Sequence, residues 1–184
     1  SEHEMTIKVF QPRLWSLDDP FLYRVTAYLT STSKQLHQQS VRCGFRDFRI
    51  VDGYFHLNGK RVFVKSAHTG NCVPIGQQVS VVGDFGRRDM LYAKASGFNT
   101  VRFISGVAYP EQLDLCDELG LMVYEECFAG WCLENSPKMA ERFDHNTSAM
   151  IRRDRNHPSV AMWGLLNETK EGPVFQQAVG FLPK

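Results

Sequence analysis

Residues 98–126 read FNTVRFISGVAYPEQLDLCDELGLMVYEE. Two short apolar runs, 98–103 and 121–126, bracket a segment with the punctuation of a helix. Pro110 suits a first helical turn, Gly120 suits the end, and Leu113, Cys116 and Leu119 make an apolar stripe between them. Both runs are apolar on both faces, as strands covered on two sides must be. The stretch is therefore a strand–helix–strand unit, and the pattern continues on either side. Upstream lie RVFVKSA (61–67) and RRDMLYAKASG (87–97), which ends in Gly97. Downstream lies SPKMAERFDHNTSAMIRRDRNHP (136–158), where Ser136 can cap a helix and Pro137 can start it. Ala140, Phe143, Thr147 and Met150 give that helix one apolar side. SVAMWGLL (159–166) is a fourth apolar run, and GPVFQQAVGF (172–181) opens another helix at Pro173. Repeated βα units predict a parallel sheet with right-handed crossovers. The choice is half of an eight-stranded barrel or a small open sheet. No GxGxxG follows the first strand and no P-loop occurs, which counts against a nucleotide-binding fold.

Before residue 64 the sequence is all-β in character. TIKVF (6–10), LYRVTAYL (22–29), SVRCGFRDFRIV (40–51) and YFHLNGKRVFV (54–64) are rich in β-branched and aromatic residues. Asp18-Asp19-Pro20, Ser31-Thr32-Ser33, Asp52-Gly53 and Asn58-Gly59 separate them, the last two being hairpin dipeptides. A β-rich portion thus precedes the βα units.

Composition sets outer limits. The 184 residues are 43% hydrophobic, enough for a substantial core, and carry a formal charge of +1. No basic field favours nucleic acid, and no apolar run approaches a membrane span. The N-terminus lacks a signal-peptide layout, and the compartment stays open. Five cysteines, at 43, 72, 116, 127 and 132, form no CxxC and are expected to be buried thiols. The NTS (146–148) and NET (167–169) tripeptides match the glycosylation pattern, a common chance match.

In a βα barrel, reactive groups gather where strands end. The four runs end near His68, at Arg102 and Ser105, at Glu125-Glu126, and at Asn167-Glu168. A buried Arg102 needs a carboxylate partner. Alternation turns one of Glu125 and Glu126 inward and the other toward the helices. His68 is equally well a residue leaving the sheet. Glu168 alone is a weak signal; Asn167 before it and Trp163 five residues back strengthen it.

Three segments together, GFNTVR (97–102), YPEQLDLCDELGLMVYEE (109–126) and RDRNHPSVAMWGLLNE (153–168), resemble glycoside hydrolase family 2. This is the group of β-galactosidases, β-glucuronidases and β-mannosidases. LWSLDDPFLYRV (14–25), GFRDFRI (44–50) and FHLNGKRVFVKS (55–66) resemble the same family in the same order. The resemblance implies an α/β fold: the N-terminal half of a (β/α)8 TIM barrel, strands one to four, preceded by the end of an immunoglobulin-like β-sandwich. It implies a division into a β-sandwich portion over 1–50 and a βα portion over 51–184. It implies that Glu168 is the general acid/base and that Asn167 contacts the sugar 2-hydroxyl. It also implies that Arg102 helps hold the nucleophile ionised. His68, Glu126 and Trp163 join Asn167 and Arg102 as expected substrate-binding residues. A retaining glycosidase needs two carboxyls roughly 5–5.5 Å apart, one protonated and one ionised. Trp163 could wall the first.

Several positions depart from the family pattern. Lys65–Gly70 replaces an Arg-Gly followed by Asn-Arg-His, with His68 in the Asn place. Ser105–Pro110 replaces Ser-His-Tyr-Pro, and Leu166 replaces a Gly. The stretch CFAGWCLEN (127–135) lacks the Glu and His that hold magnesium in some galactosidases, so no metal and no cofactor are expected. The family's nucleophile is a Glu on the seventh strand, and the sequence stops soon after the fourth. The expectation is therefore an excised piece of a larger enzyme, or a truncated product, inactive by itself. A half barrel exposes sheet edges and an apolar face, which predicts self-association. The expected partner is a β-glycoside, with galactoside first. A non-catalytic carbohydrate-binding or structural module is the alternative, motivated by the altered loops.

Overall fold

The computed structural model describes residues 4–32, 34–69, 85–128 and 137–181. The first elements are a long antiparallel hairpin, β1 (Tyr23–Ser31) and β2 (Lys34–Cys43), paired from Tyr23↔Cys43 to Ser31↔Lys34. A three-stranded meander follows: β3 (Phe48–Val51), β4 (Tyr54–Leu57) and β5 (Lys60–Arg61). Its two tight turns are Asp52-Gly53 (φ 50° and 80°) and Asn58-Gly59 (φ 53° and 76°). Both central residues of each turn are left-handed, the geometry that matches strand twist.

The remaining elements alternate. They are β6 (Ser66–Thr69), α1 (Phe85–Ala95), β7 (Thr100–Phe103), α2 (Pro110–Leu119), β8 (Met122–Glu126), α3 (Met139–Asp154), β9 (Val160–Gly164) and α4 (Pro173–Phe181). The strands β6-β7-β8-β9 form one parallel sheet in sequence order, the strand arrangement of a (β/α)8 barrel. No helix among the described residues is long and apolar enough to cross a membrane.

The sheet's two sides are filled differently. Toward the helices, Val101, Phe103, Val123 and Val160 pack with Met90, Leu113, Cys116 and Leu121. At the base, Trp15, Leu57 and Met122 form a separate core with Val62, Val64 and Ala161 around it. Trp15 is fully buried and donates its indole N–H to the Asp117 carbonyl (2.8 Å). Arg46 clamps the other side of that junction, donating from Nε to the Pro158 carbonyl (2.6 Å) and from its terminal nitrogen to the Val160 carbonyl. Asp117 in turn accepts from the Ser159 N–H (3.0 Å) and pairs with His157 Nδ1 (2.6 Å). The polar residues of the RDRNHPS stretch thus seat the entry to β9.

Some expectations are corrected. TIKVF (6–10) makes no strand; Ile7 and Phe10 are exposed at 66% and 85%. The first parallel strand begins at Ser66 rather than Arg61, because Val62 and Val64 are committed to the basal core. α3 starts at Met139, with Pro137 and Lys138 in a turn; Ser136 lies outside the described residues. Cys116 and Cys127 are buried thiols and Cys43 is half-buried, while Cys72 and Cys132 lie outside the described residues.

Candidate active site

Alternation along β8 decides what reaches the inside of the sheet. Tyr124 and Glu126 share one face, and Val123 and Glu125 the other. Val123 packs under α2, so Glu125 faces the helices and Glu126 faces inward. In β7 the inward residue is Arg102, paired in register with Tyr124. The need for a carboxylate beside Arg102 is met by Glu126. Arg102 Nε donates to Glu126 Oε1 (2.6 Å), and its terminal nitrogen lies 2.5 Å from the same oxygen. The other oxygen, Oε2, accepts the Ser105 N–H (2.9 Å). Ser105 holds φ 47°, a costly conformation for a residue with a Cβ, in the position that lets its amide reach this carboxylate.

Arg102 also donates to Asn167 Oδ1 (2.9 Å). One guanidinium therefore ties the end of β8 to the segment after β9. The hydrogen bond to Glu126 holds it above the ordinary arginine range, outweighing its partial burial, and Glu168 contributes a further favourable charge. Asn167 is buried, and among the described residues its Nδ2 has no hydrogen-bond partner; the Ser105 hydroxyl is likewise unpartnered there. Glu168 follows, exposed, with φ 48°. That left-handed turn places it at the rim, beyond the strand.

The remaining sequence candidates fall in different places. His68 is the register partner of Arg102 on β6 and is exposed. Trp163 departs from expectation. It pairs with Glu125, and it packs against the helix-side clusters that include Val160, Phe143 and Met150. Its neighbour Gly164 is the residue opposite Glu126. The expectation of no metal rested on residues 127–135, most of which lie outside the described residues. Asp114, Asp117 and His157 cluster closely, but Asp114 pairs with Arg42 (2.6 Å) and Asp117 with His157 and Ser159, so these groups satisfy one another.

Glu125 has a different environment from Glu126. It is fully buried, accepts the Ala108 N–H (2.9 Å) through Oε1, and faces Asp154, whose carboxylate is held by Arg153 (2.6 and 2.7 Å). Burial first, and the Asp154 charge second, push its pKa up to about 8. Sequence reading missed Tyr124, whose position two residues before Glu126 was the available signal.

Comparisons with known proteins agree with this arrangement. The family model for the TIM barrel domain of glycosyl hydrolases family 2 matches residues 48–182, and a second glycosyl hydrolases family 2 model matches residues 1–46. A β-galactosidase of Aeromonas hydrophila is 30% identical over 190 residues, covering 98% of the chain and 18% of that protein. A β-glucuronidase structure from Parabacteroides merdae superposes with a TM-score of 0.77 at 32% identity, covering 88% of the chain and 20% of that one. A β-galacturonidase of the same family from Eisenbergiella tayi, bound to galacturonate, gives a TM-score of 0.83 at 26% identity, covering 95% and 32%. The chain thus spans about a fifth of the length of the curated relatives it matches. With a barrel-domain model matching most of its length, the chain belongs to glycosyl hydrolases family 2.

Proposed function

We propose that this chain supplies the acid/base side of a retaining exo-β-glycosidase, with Glu168 as the proton donor to the glycosidic oxygen. The observation that carries the reading is the conformation at the end of β9. Asn167 accepts from Arg102, which in turn holds Glu126, and the next residue adopts a left-handed turn. Such a backbone costs about 1–3 kcal/mol and persists at positions where surrounding structure demands it. It supports a Glu168 aimed from a rigid base toward the barrel mouth. The unpartnered Asn167 Nδ2 is the donor assigned to the sugar 2-hydroxyl.

In this mechanism Glu168 protonates the leaving oxygen, then removes a proton from water when the glycosyl-enzyme is hydrolysed. The nucleophile must attack from the opposite face of the sugar. Glu126 is already engaged by Arg102 and Ser105, and Glu125 faces the helices, so neither is assigned that role. The second carboxylate is assigned to the family's seventh strand, outside residues 1–184. The 184-residue polypeptide alone is then expected to turn over no aryl β-glycoside. Turnover that disappears in Glu168→Gln would contradict that assignment.

β-Galactosides are the first substrate class, because the curated relatives bear that name; the uronidase structures make β-glucuronides and β-galacturonides the class to assay beside them. Exposed Tyr28, Leu29 and Leu36 on the β1–β2 hairpin support self-association of the isolated chain, which molar-mass determination by light scattering would measure. The functional test uses the protein at its native length. Glu168→Gln should greatly slow hydrolysis of substrates with poor leaving groups, while the first step on activated aryl glycosides suffers less. Equal losses at that step would remove Glu168 from the acid role. Full activity in the variant would end the assignment of Glu168, whereas sugar binding without turnover in the wild-type protein would favour a non-catalytic carbohydrate-binding module.

A further inference from the structure

The inner face of β8 carries a second polar group beneath Glu126. Tyr124 lies two residues earlier on the same strand, and its register partner on β7 is Arg102. The Arg102 guanidinium carbon sits 5.2 Å from the Tyr124 ring centroid, a cation over an aromatic face. The phenol also faces the Glu126 carboxylate.

Space for that ring comes from Gly164 on β9. A Cβ at Gly164 would lie 2.5 Å from Tyr124 Cε2, 2.9 Å from the Tyr124 hydroxyl and 2.5 Å from Glu126 Cγ. Those separations are well inside carbon–carbon contact. Gly164 is not among the glycines with positive φ, so its backbone does not explain the residue. A glycine inside a strand weakens it and marks a close approach. Here the approaching groups are the tyrosine and the glutamate together.

We propose that Tyr124 is a positioning residue for the Arg102–Glu126–Asn167 network, seated in the notch that Gly164 leaves in β9. Its significance for catalysis rests on the assignment of that network to the sugar site. Arg102 takes one oxygen of Glu126 and Ser105 takes the other. The phenol faces the same carboxylate from below, and the ring supports the guanidinium that orients Asn167. A pure filler would need the ring but not the hydroxyl.

The test has three arms, all on the protein at its native length. In protein labelled with ¹³C at the tyrosine ζ carbon, Tyr124→Phe identifies the Tyr124 resonance. Its phenol should ionise above the ordinary tyrosine value of about 10, and Glu126→Gln should bring it back down. A Tyr124 resonance that titrates with the exposed tyrosines, or does not respond to Glu126→Gln, overturns the contact. In thermal unfolding, Gly164→Ala should lower Tm clearly, and less so in a Tyr124→Val background, which removes the ring but leaves Glu126 Cγ beside the new methyl. Equal losses in both backgrounds overturn the notch, and this cycle decides the matter if Tyr124→Phe does not fold. In hydrolysis of an aryl β-galactoside or β-glucuronide, Tyr124→Phe should lower kcat about tenfold, the worth of a hydrogen bond to a charged group, with a smaller change in KM. Wild-type kcat in Tyr124→Phe overturns the positioning role. If the wild-type protein itself turns over neither substrate, the functional assignment fails while the first two arms still judge the contact and the notch.

Discussion

Glu125 and Glu126 are neighbours on one strand, equally buried, and they live in opposite surroundings. Glu126 faces the barrel interior, where Arg102 and the Ser105 amide engage its two oxygens. Glu125 faces the helix layer, where one oxygen has the Ala108 amide and the other has no donor among the described residues. Beside it are Asp154, which takes most of Arg153, and Arg153 itself at 3.7 Å; Glu111 on α2 adds a further negative charge near Arg153. With two buried carboxyls and one guanidinium, retaining the proton on Glu125 is the inexpensive state, and its O–H then points to Asp154. A one-residue step along a strand thus separates a charged inner layer from a protonated outer one.

The largest expected effect is on the inner side. Arg102→Ala leaves Glu126 buried without its counter-ion and should cost about 3–5 kcal/mol, read from the midpoint of chemical denaturation. A cost below about 1 kcal/mol, the value typical of an exposed pair, would show that solvent reaches Glu126. Glu126→Gln should cost less, about 1–3 kcal/mol, because the amide keeps the size of the side chain while weakening the hydrogen bonds. Glu125→Gln should cost less than about 1 kcal/mol at neutral pH, since a neutral amide resembles the protonated acid already there. Equal costs at the two positions would break the comparison.

Proton linkage sharpens it. The folded-state pKa of Glu125 is raised from 4.5 to about 8, so the folded protein holds a proton that the unfolded chain releases. Stability from this group is fully present below the unfolded value and is lost as pH rises through about 8. Wild-type stability should therefore fall from about pH 4.5 to about pH 8 and level off above it, and Glu125→Gln should flatten that fall. A wild type and variant with parallel profiles over this window would place the proton elsewhere.

How much of this was legible depends on the distance over which each cue acts. Asn58-Gly59, Gly97, Pro110 and Gly120 are local signals, and each marks the turn or helix end expected of it. The alternation rule separated Glu125 from Glu126 but could not say which faced inward, because both sides of a covered sheet are apolar. The same rule, applied to β9, is complicated by an irregularity: Val123 pairs with Val160 but Tyr124 with Met162. Beyond that slip Trp163 faces the helices and Gly164 faces Glu126, so the conspicuous aromatic was not the one beside the site. The start of β6 was misplaced because Val62 and Val64 read as strand residues, while Trp15, far away in sequence, draws them into the basal core. The pairing of Arg102 with a carboxylate followed from the cost of burying charge; its second bond, to Asn167, depended on a turn after β9 that no residue pattern announces.

The central claim is that Glu168 is the acid/base carboxyl. Glu168→Ala, at the protein's native length, should be slow on an activated aryl β-glycoside that the wild type hydrolyses, because the glycosyl-enzyme forms but water is no longer activated. Added azide should restore turnover and give a glycosyl azide of retained β-configuration, entering from the side that Glu168 had served. An α-azide would make Glu168 the nucleophile, and wild-type turnover without azide would leave it no catalytic part.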